Sequence, residues 1–411
     1  MTSVTATTTF SDAAPGRRVD LDWIRICAFG LLILYHVGMF YVTWDWHVKS
    51  PSASHAIEPL MYLTSPWRLT LLFLVSGAAT AFMASKMGAG ALTWSRIWRL
   101  LPPLLLAMLV IVPPQSWYEI YEKAPQLSEA YPGFWVKYAT ASGGWCHPVT
   151  GECLITPTWN HMWFVAYLLV YSLVLGLLLA VARGGLERLG AGLERTLRGW
   201  GLLLWPIAFL AAARVGLLPL FEVTHALVDD WYNHAVSFAA FMLGFLLARR
   251  EAFWAEVSRR RWLALALWIV AYAVFTPYAW AYRGEDVNPP EALRTAMRVV
   301  WAAGQWAAIV AVLGFGRLWF AKDGPVRRYL TDAVFTFYLV HQTIIVVAAH
   351  HLAQLGLPLA VEVPVLVATT FGGCWLTYEA VRRVGFLRPW FGLKPLPRRR
   401  VSEERLASEM A

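Results

Sequence analysis

The 411-residue sequence is 58% hydrophobic and only 15% charged, with a mean hydropathy of +0.50 and a formal net charge of +9. Charged residues make up roughly 25% of an ordinary soluble domain, so a soluble globular enzyme is excluded. A bilayer crossing takes about 20 mostly apolar residues, and the sequence therefore predicts an all-α, polytopic membrane protein of about ten transmembrane helices.

Residues 1–16 are polar, carry only Asp12 as a charge, and read as a disordered tail. The apolar run 24–44 follows Arg17 and Arg18; at about 21 residues it exceeds the apolar core of a secretory signal and reads as a retained first helix. Further spans are predicted near 66–84, 100–117, 159–182, 200–218, 234–248, 262–281, 298–316, 333–353 and 361–381. Residues 17–385 then form one membrane domain with a long outer loop at 118–158, followed by a basic tail at 386–411.

Lysine and arginine accumulate in cytoplasmic loops. With both termini cytoplasmic, 26 of the 35 basic residues fall in inner segments and six, Lys49, Lys123, Lys137, Arg283, Arg294 and Arg298, fall outside. The predicted location is a multi-pass protein of the inner (cytoplasmic) membrane. The positive charge is a topology signal that calls for no nucleic acid, although the segment Lys394 to Arg400 can meet anionic lipid. Cys27 and Cys374 lie in apolar runs as small packing residues. Cys146 and Cys153 share the outer loop, where a disulfide and two free thiols are both open readings. A metal site on Cys146, His147 and Cys153 lacks a fourth ligand, so no metal is expected.

Ionisable side chains at helix centres cost roughly 2.5–3.5 kcal/mol and mark candidate sites. In the first span Asp22, Arg25, Phe29 and His36 share one helical stripe, with Arg25 and His36 about 16 Å apart along the axis. Asp22 and Arg25 fit an interfacial ion pair or a site. His36, among Leu34, Val37 and Met39, fits a proton acceptor or a satisfied structural histidine. Arg68 opens the second span, where its stem can snorkel to headgroups. Arg96 and Arg99, three residues apart before Pro102 and Pro103, fit a phosphate clamp or the positive-inside rule. In the fourth span Asn160, Trp163, Tyr167 and Tyr171 form an aromatic stripe, and His161 at its outer end is placed to meet a polar acceptor. The ninth span puts Tyr338, His341 and Gln342 on one face, with His341 at a depth similar to His36. Glu379 reads as part of a charge cluster with Arg382 and Arg383.

The segments RVDLDWIRICAFGLLILYHVGMF (18–40), WRLTLLFLVSGAAT (67–80), SRIWRLLPPLL (95–105), PPQSWYE (113–119), WNHMWFVAYLLVY (159–171), FYLVHQTIIV (337–346) and YEAVRR with LRPWFGLKP (378–395) resemble the membrane acyltransferase 3 family, in the branch of the glucan biosynthesis protein C type. The resemblance implies transfer of an acetyl or succinyl group from cytoplasmic acyl-CoA to a hydroxyl of an extracytoplasmic carbohydrate or other envelope acceptor, such as a periplasmic glucan. It makes Arg25 and His36 the signature pair and carries the family's other arginines onto Arg68, Arg96 and Arg99. The fused hydrolase-like domain of some members is not seen, so acceptor handling is expected to fall to the loops or to glucan-synthesis partner proteins.

The expected catalytic set is His36, Arg25 and His341. Acyl-CoA, a co-substrate rather than a resident cofactor, is expected to meet Arg25, Arg96, Arg99 and Asp22. The acceptor is expected to meet Arg68, Asn160, His161, Tyr338 and Gln342. The rival reading is a secondary transporter of a polar solute or lipid-linked sugar, which commonly carries internal repeats that this sequence lacks.

Overall fold

A computed structural model of the chain describes residues 18–146, 151, 153–284 and 287–396. The N-terminal tail, Arg17, His147 and most of the basic C-terminal tail lie outside the described residues. The helices are α1 (Val19–Tyr41), α2 (Glu58–Thr64), α3 (Arg68–Ala84), α4 (Ala89–Leu106), α5 (Pro113–Lys123), α6 (Tyr131–Ala139), α7 (Trp163–Val181), α8 (Arg183–Thr196), α9 (Gly201–Gly216), α10 (Trp231–Leu247), α11 (Glu251–Ala281), α12 (Glu291–Trp319), α13 (Pro325–Ala353) and α14 (Leu359–Arg383). Among the described residues there is no strand beyond one isolated bridge, at the Cys146–Cys153 disulfide.

Eight helical segments are long and apolar enough to cross a membrane among the described residues: α1, α2 with α3, α4 with α5, α7, α11, α12, α13 and α14. The remaining two predicted spans are α9, of 16 residues, and α10, of 17. At 1.5 Å per residue each is about 24–26 Å long, a little short of the roughly 30 Å apolar core. The inner segment before α9, between two predicted spans, is the helix α8, turned 112° from it. Leu186, Leu193 and Leu197 point from α8 toward the core while Arg183, Arg188 and Arg195 are exposed, the division expected of a helix lying along an interface.

Inside the bundle, small residues set how closely the helices approach. A Cβ at Gly77 of α3 would stand 1.9 Å from the Phe241 carbonyl oxygen, and one at Gly244 of α10 would stand 1.9 Å from that of Leu74. The two backbones therefore touch at both glycines. α12 is enclosed through most of its length, with Ala302 to Ala308 and Ile309 to Leu313 largely buried.

Pro102 and Pro103 interrupt the amide ladder of α4, and the helix widens into a π turn over Ala107–Ile111 before Pro113 starts α5. Carbonyls released there find side-chain donors, since Trp135 Nε1 donates to Leu109 O at 2.7 Å and Thr343 Oγ1 to Ile111 O at 2.6 Å. In hydrocarbon this satisfaction is what makes an irregular turn tolerable.

The two ends of the bundle differ in charge. At the basic end Arg327, 1% exposed, donates to Asp22 of α1 and to Asp323, both at 2.6 Å. Glu379 pairs there with Arg382 at 3.1 Å and Arg383 at 2.8 Å. At the far end Lys49 Nζ donates to the carbonyls of Met39 (2.7 Å) and Val42 (2.6 Å), capping the C-terminus of α1. Cys374 is buried as expected, but Cys27 is exposed on α1 and is not a packing residue.

Two outcomes follow from this packing. Gly77→Val should force α3 from α10 and cost about 1–3 kcal/mol or more, read as loss of the monodisperse peak in fluorescence-detected size exclusion. Burial pushes the Lys49 ammonium down from its ordinary 10.5 to about 8, so between those values the unfolded chain holds more protons than the folded one. Stability should therefore rise with pH across that window relative to Lys49→Met, measured as the difference in Tm.

Candidate active site

α1 and α13 bring His36 and His341, 305 residues apart in sequence, into direct contact, with His36 Nδ1 2.7 Å from His341 Nε2 and the rings stacked at 5.0 Å. His341 is wholly buried, and its Nδ1 lies 2.7 Å from the Tyr338 carbonyl oxygen. A carbonyl can only accept, so Nδ1 carries the His341 proton. In the neutral pair Nε2 of His341 must then accept, and His36 Nδ1 must donate to it. The lone pair of His36 is thereby assigned to Nε2, an arrangement suited to taking a proton from a bound hydroxyl.

His36 opens onto a cavity of about 440 Å³ shared with Tyr35, Arg68, His161, Arg214 and Trp301. Arg68 is 4% exposed and lies over the Tyr35 ring at 3.3 Å; its Nε and Nη1 have no hydrogen-bond partner among the described residues. Arg214 donates to the Tyr232 hydroxyl at 2.9 Å and lies over Trp301 at 4.4 Å, with Nε unpartnered. No aspartate or glutamate is among the described residues lining this cavity. Two guanidinium groups facing a space without a carboxylate, with buried N–H groups unmatched, fit an anionic group of a ligand. His225, in the segment between α9 and α10, stacks on Trp163 at 4.3 Å on the wall, and burial lowers its pKa.

A second cavity, of about 730 Å³, opens at the basic end. Arg18, Arg25, Lys86, Arg99, Arg388 and Lys394 lie on its wall, with Arg328 beside them, against Asp22 and Asp332. Between the two cavities stand Phe29, Phe164 and Tyr338: Phe29 is 5.1 Å from Tyr338 and 6.3 Å from Phe164, ring centre to ring centre. Phe335, on the wall of the basic-end cavity, reaches Tyr338, on the wall of the other, at 6.3 Å.

Comparison with known proteins decides the family. The family model described as an acyltransferase domain matches residues 18–379, nearly the whole described chain. The chain belongs to the acyltransferase 3 family. Two curated relatives are the Glucans biosynthesis protein C of Escherichia coli strain K12 and that of Escherichia coli O139:H28, each 24% identical across 79% of this chain and 81% of the relative. No solved structure matches.

In this acyltransferase the residues expected from sequence fall into three groups. His36, Arg68, His161 and Tyr338 meet at the first cavity, and Asp22, Arg25 and Arg99 at the second. Arg96 is at neither, because its Nε donates to Ser172 Oγ of α7 at 3.2 Å. Asn160 and Gln342 also line neither cavity; both donate to Gln115 Oε1, at 3.1 and 3.0 Å, and Gln342 Nε2 lies 2.9 Å from His47 Nε2. That knot ties α5, α13 and the loop after α1 behind the histidine pair. Arg68 does not snorkel to headgroups, since its guanidinium is buried over the Tyr35 ring and faces the cavity.

Arg214, Trp301, His47 and Gln115 were given no role by the sequence reading. Only the PPQSWYE segment around Gln115 carried a signal; His47 comes from the loop after α1, and Arg214 and Trp301 come from α9 and α12. Asp22 anchors α1 on α13 through Arg327 as well as lining the cavity. Asp22→Ala should therefore cost about 3 kcal/mol, the low end for breaking a buried pair, because Asp323 still faces Arg327. Adding Arg327→Met should recover much of the lost Tm.

Proposed function

We propose that this acyltransferase carries an acyl group from cytoplasmic acyl-CoA to a hydroxyl of a carbohydrate on the outer side of the inner membrane, with His36 as the general base. The observation that carries this reading is the histidine pair, which leaves Nε2 of His36 unprotonated on a residue that lines the arginine-lined cavity, with a cationic cavity at the basic end of the bundle. The distribution of basic residues supports the basic end, and both termini, being cytoplasmic. The names of the curated relatives support a glucan as acceptor and proteins of glucan synthesis as partners.

The phosphates of coenzyme A would meet Arg25, Arg99, Arg388 and Lys394 in the basic-end cavity, and Arg96, close behind, adds to the positive field. The pantetheine arm would cross the Phe29–Tyr338 constriction over the roughly 16 Å of rise from Arg25 to His36. The acceptor hydroxyl gives its proton to His36 Nε2 as its oxygen attacks the thioester carbonyl. The tetrahedral intermediate then expels coenzyme A as thiolate, and the proton on His36 passes to that sulfur. His341 acts through His36, holding the tautomer that leaves Nε2 free.

Arg68 has two uses, at the oxyanion of the intermediate or at a carboxylate on the acyl group. That no carboxylate among the described residues lines the cavity with Arg68 and Arg214 favours an acyl group that brings its own, and so succinyl over acetyl.

The test uses purified protein in nanodiscs with radiolabelled acetyl-CoA or succinyl-CoA and a glucan acceptor. His36→Ala should lower acyl transfer by about 10²–10⁴-fold, and unchanged transfer would contradict the assignment. Arg68→Ala should lower kcat/KM for succinyl-CoA by about tenfold or more through loss of a charge-assisted contact, with little change for acetyl-CoA. Equal losses with both donors would place Arg68 at the oxyanion instead.

A further inference from the structure

α1 continues past His36 to Tyr41, about 8 Å of rise, and Thr43 and Trp44 beyond it form one wall of a third cleft, of about 460 Å³. Four more rings line that cleft: Tyr62 of α2, Phe275 and Tyr278 of α11, and Tyr282 just after it. They form a continuous ladder, with ring centres 5.2 Å apart for Trp44 and Tyr62, 5.5 Å for Tyr62 and Phe275, 5.7 Å for Phe275 and Tyr278, and 5.3 Å for Tyr278 and Tyr282.

Aromatic side chains are common at membrane interfaces, where each ring sits at headgroup level. These five instead pack tilted or edge to face across three elements and wall a cleft. Its floor is polar: Glu58, 2% exposed, accepts from Thr43 Oγ1 at 2.7 Å and lies 2.8 Å from His55 Nδ1. A buried carboxylate under the rings makes the cleft a poor place for a hydrocarbon chain. The ladder also leads somewhere, because Phe275 packs at 4.8 Å on Trp301, which lines the His36 cavity and carries Arg214 on its face.

Ring faces for stacking, with tyrosine hydroxyls and the Asn288 and Arg294 side chains in the lining for hydrogen bonds, suit a sugar, whose pyranose ring has an apolar C–H face and a rim of hydroxyls. We propose that this cleft is a saccharide subsite, which holds a sugar unit of the acceptor distal to the hydroxyl being acylated. It rests on the carbohydrate reading of the acceptor and adds a consequence: long glycans are preferred to short ones.

The experiment measures binding and turnover separately on protein in nanodiscs. Calorimetry compares a linear gluco-oligosaccharide of eight units with one of two units, on wild type, Trp44→Ala, Tyr278→Ala and Trp44→Phe, while thiol release from acyl-CoA follows the reaction. Wild type should bind the longer sugar about tenfold tighter, the scale of a few ring-face contacts. Trp44→Ala and Tyr278→Ala should lose that advantage and raise KM for the longer sugar alone, with kcat and the KM of the shorter one unchanged; Trp44→Phe should keep most of it.

Equal binding of the two sugars by wild type would overturn the subsite, as would an advantage retained in both alanine variants or a kcat lost with every acceptor. Thiol release that still depends on His36 would, in those cases, leave the proposed reaction standing. Sugar binding by a chain whose acyl transfer survives His36→Ala would do the reverse.

Discussion

The contact on which the account depends is the hydrogen bond between two imidazoles on α1 and α13. Neutral imidazole can be held inside an apolar bundle only if its N–H is matched, and His341 does this by spending its own proton on the Tyr338 carbonyl. The order of donors is then fixed along the chain of contacts, and the one nitrogen left over is His36 Nε2. Other features serve this placement. Asp22 and Arg327 pin α1 to α13 at the basic end, Lys49 caps α1 at the far end, and the Gln115–Gln342–His47 knot sets α13 from behind.

The two cavities differ in charge. At the basic end, arginines and lysines outnumber the acidic residues but are partly paired with them, as suits a site for a solvated, multiply charged cosubstrate at an interface. Deeper in, Arg68 is buried with its Nε and Nη1 unmatched among the described residues, a cost that a bound anionic group would relieve. In the proposed reaction, the aromatic rings between them would separate a water-facing cosubstrate site from the space where a hydroxyl is deprotonated. Keeping water from that space would protect the proposed thioester from hydrolysis.

Much of this was legible in the sequence because hydrocarbon is an unforgiving solvent: apolar runs, and the exceptions to them, stand out. His36 and His341 were found as such exceptions, and their similar depth followed from helical rise alone. Arg68 carried two readings, headgroup snorkelling and contact with the acceptor; its guanidinium is buried over the Tyr35 ring and lines the His36 cavity. Arg96 and Arg99 share a helical face, yet a serine on α7 claims Arg96. α8 falls in an inner segment that was read only for its arginines, although its leucines recur with helical period. Arg214, Trp301 and the aromatic ladder were illegible for a simpler reason: they meet only when α9, α11 and α12 pack, and no local pattern encodes that meeting. The disulfide between Cys146 and Cys153, one of two open readings, is formed.

The most direct test of the central claim is the tautomer of His36. With ¹⁵N-labelled histidine in nanodiscs, and His36 assigned by comparison with His36→Gln, nitrogen chemical shifts at neutral pH should show His36 protonated at Nδ1 and bare at Nε2. In His341→Ala that preference should be lost. A wild-type His36 protonated at Nε2, or one whose spectrum is unaltered by His341→Ala, would contradict the account.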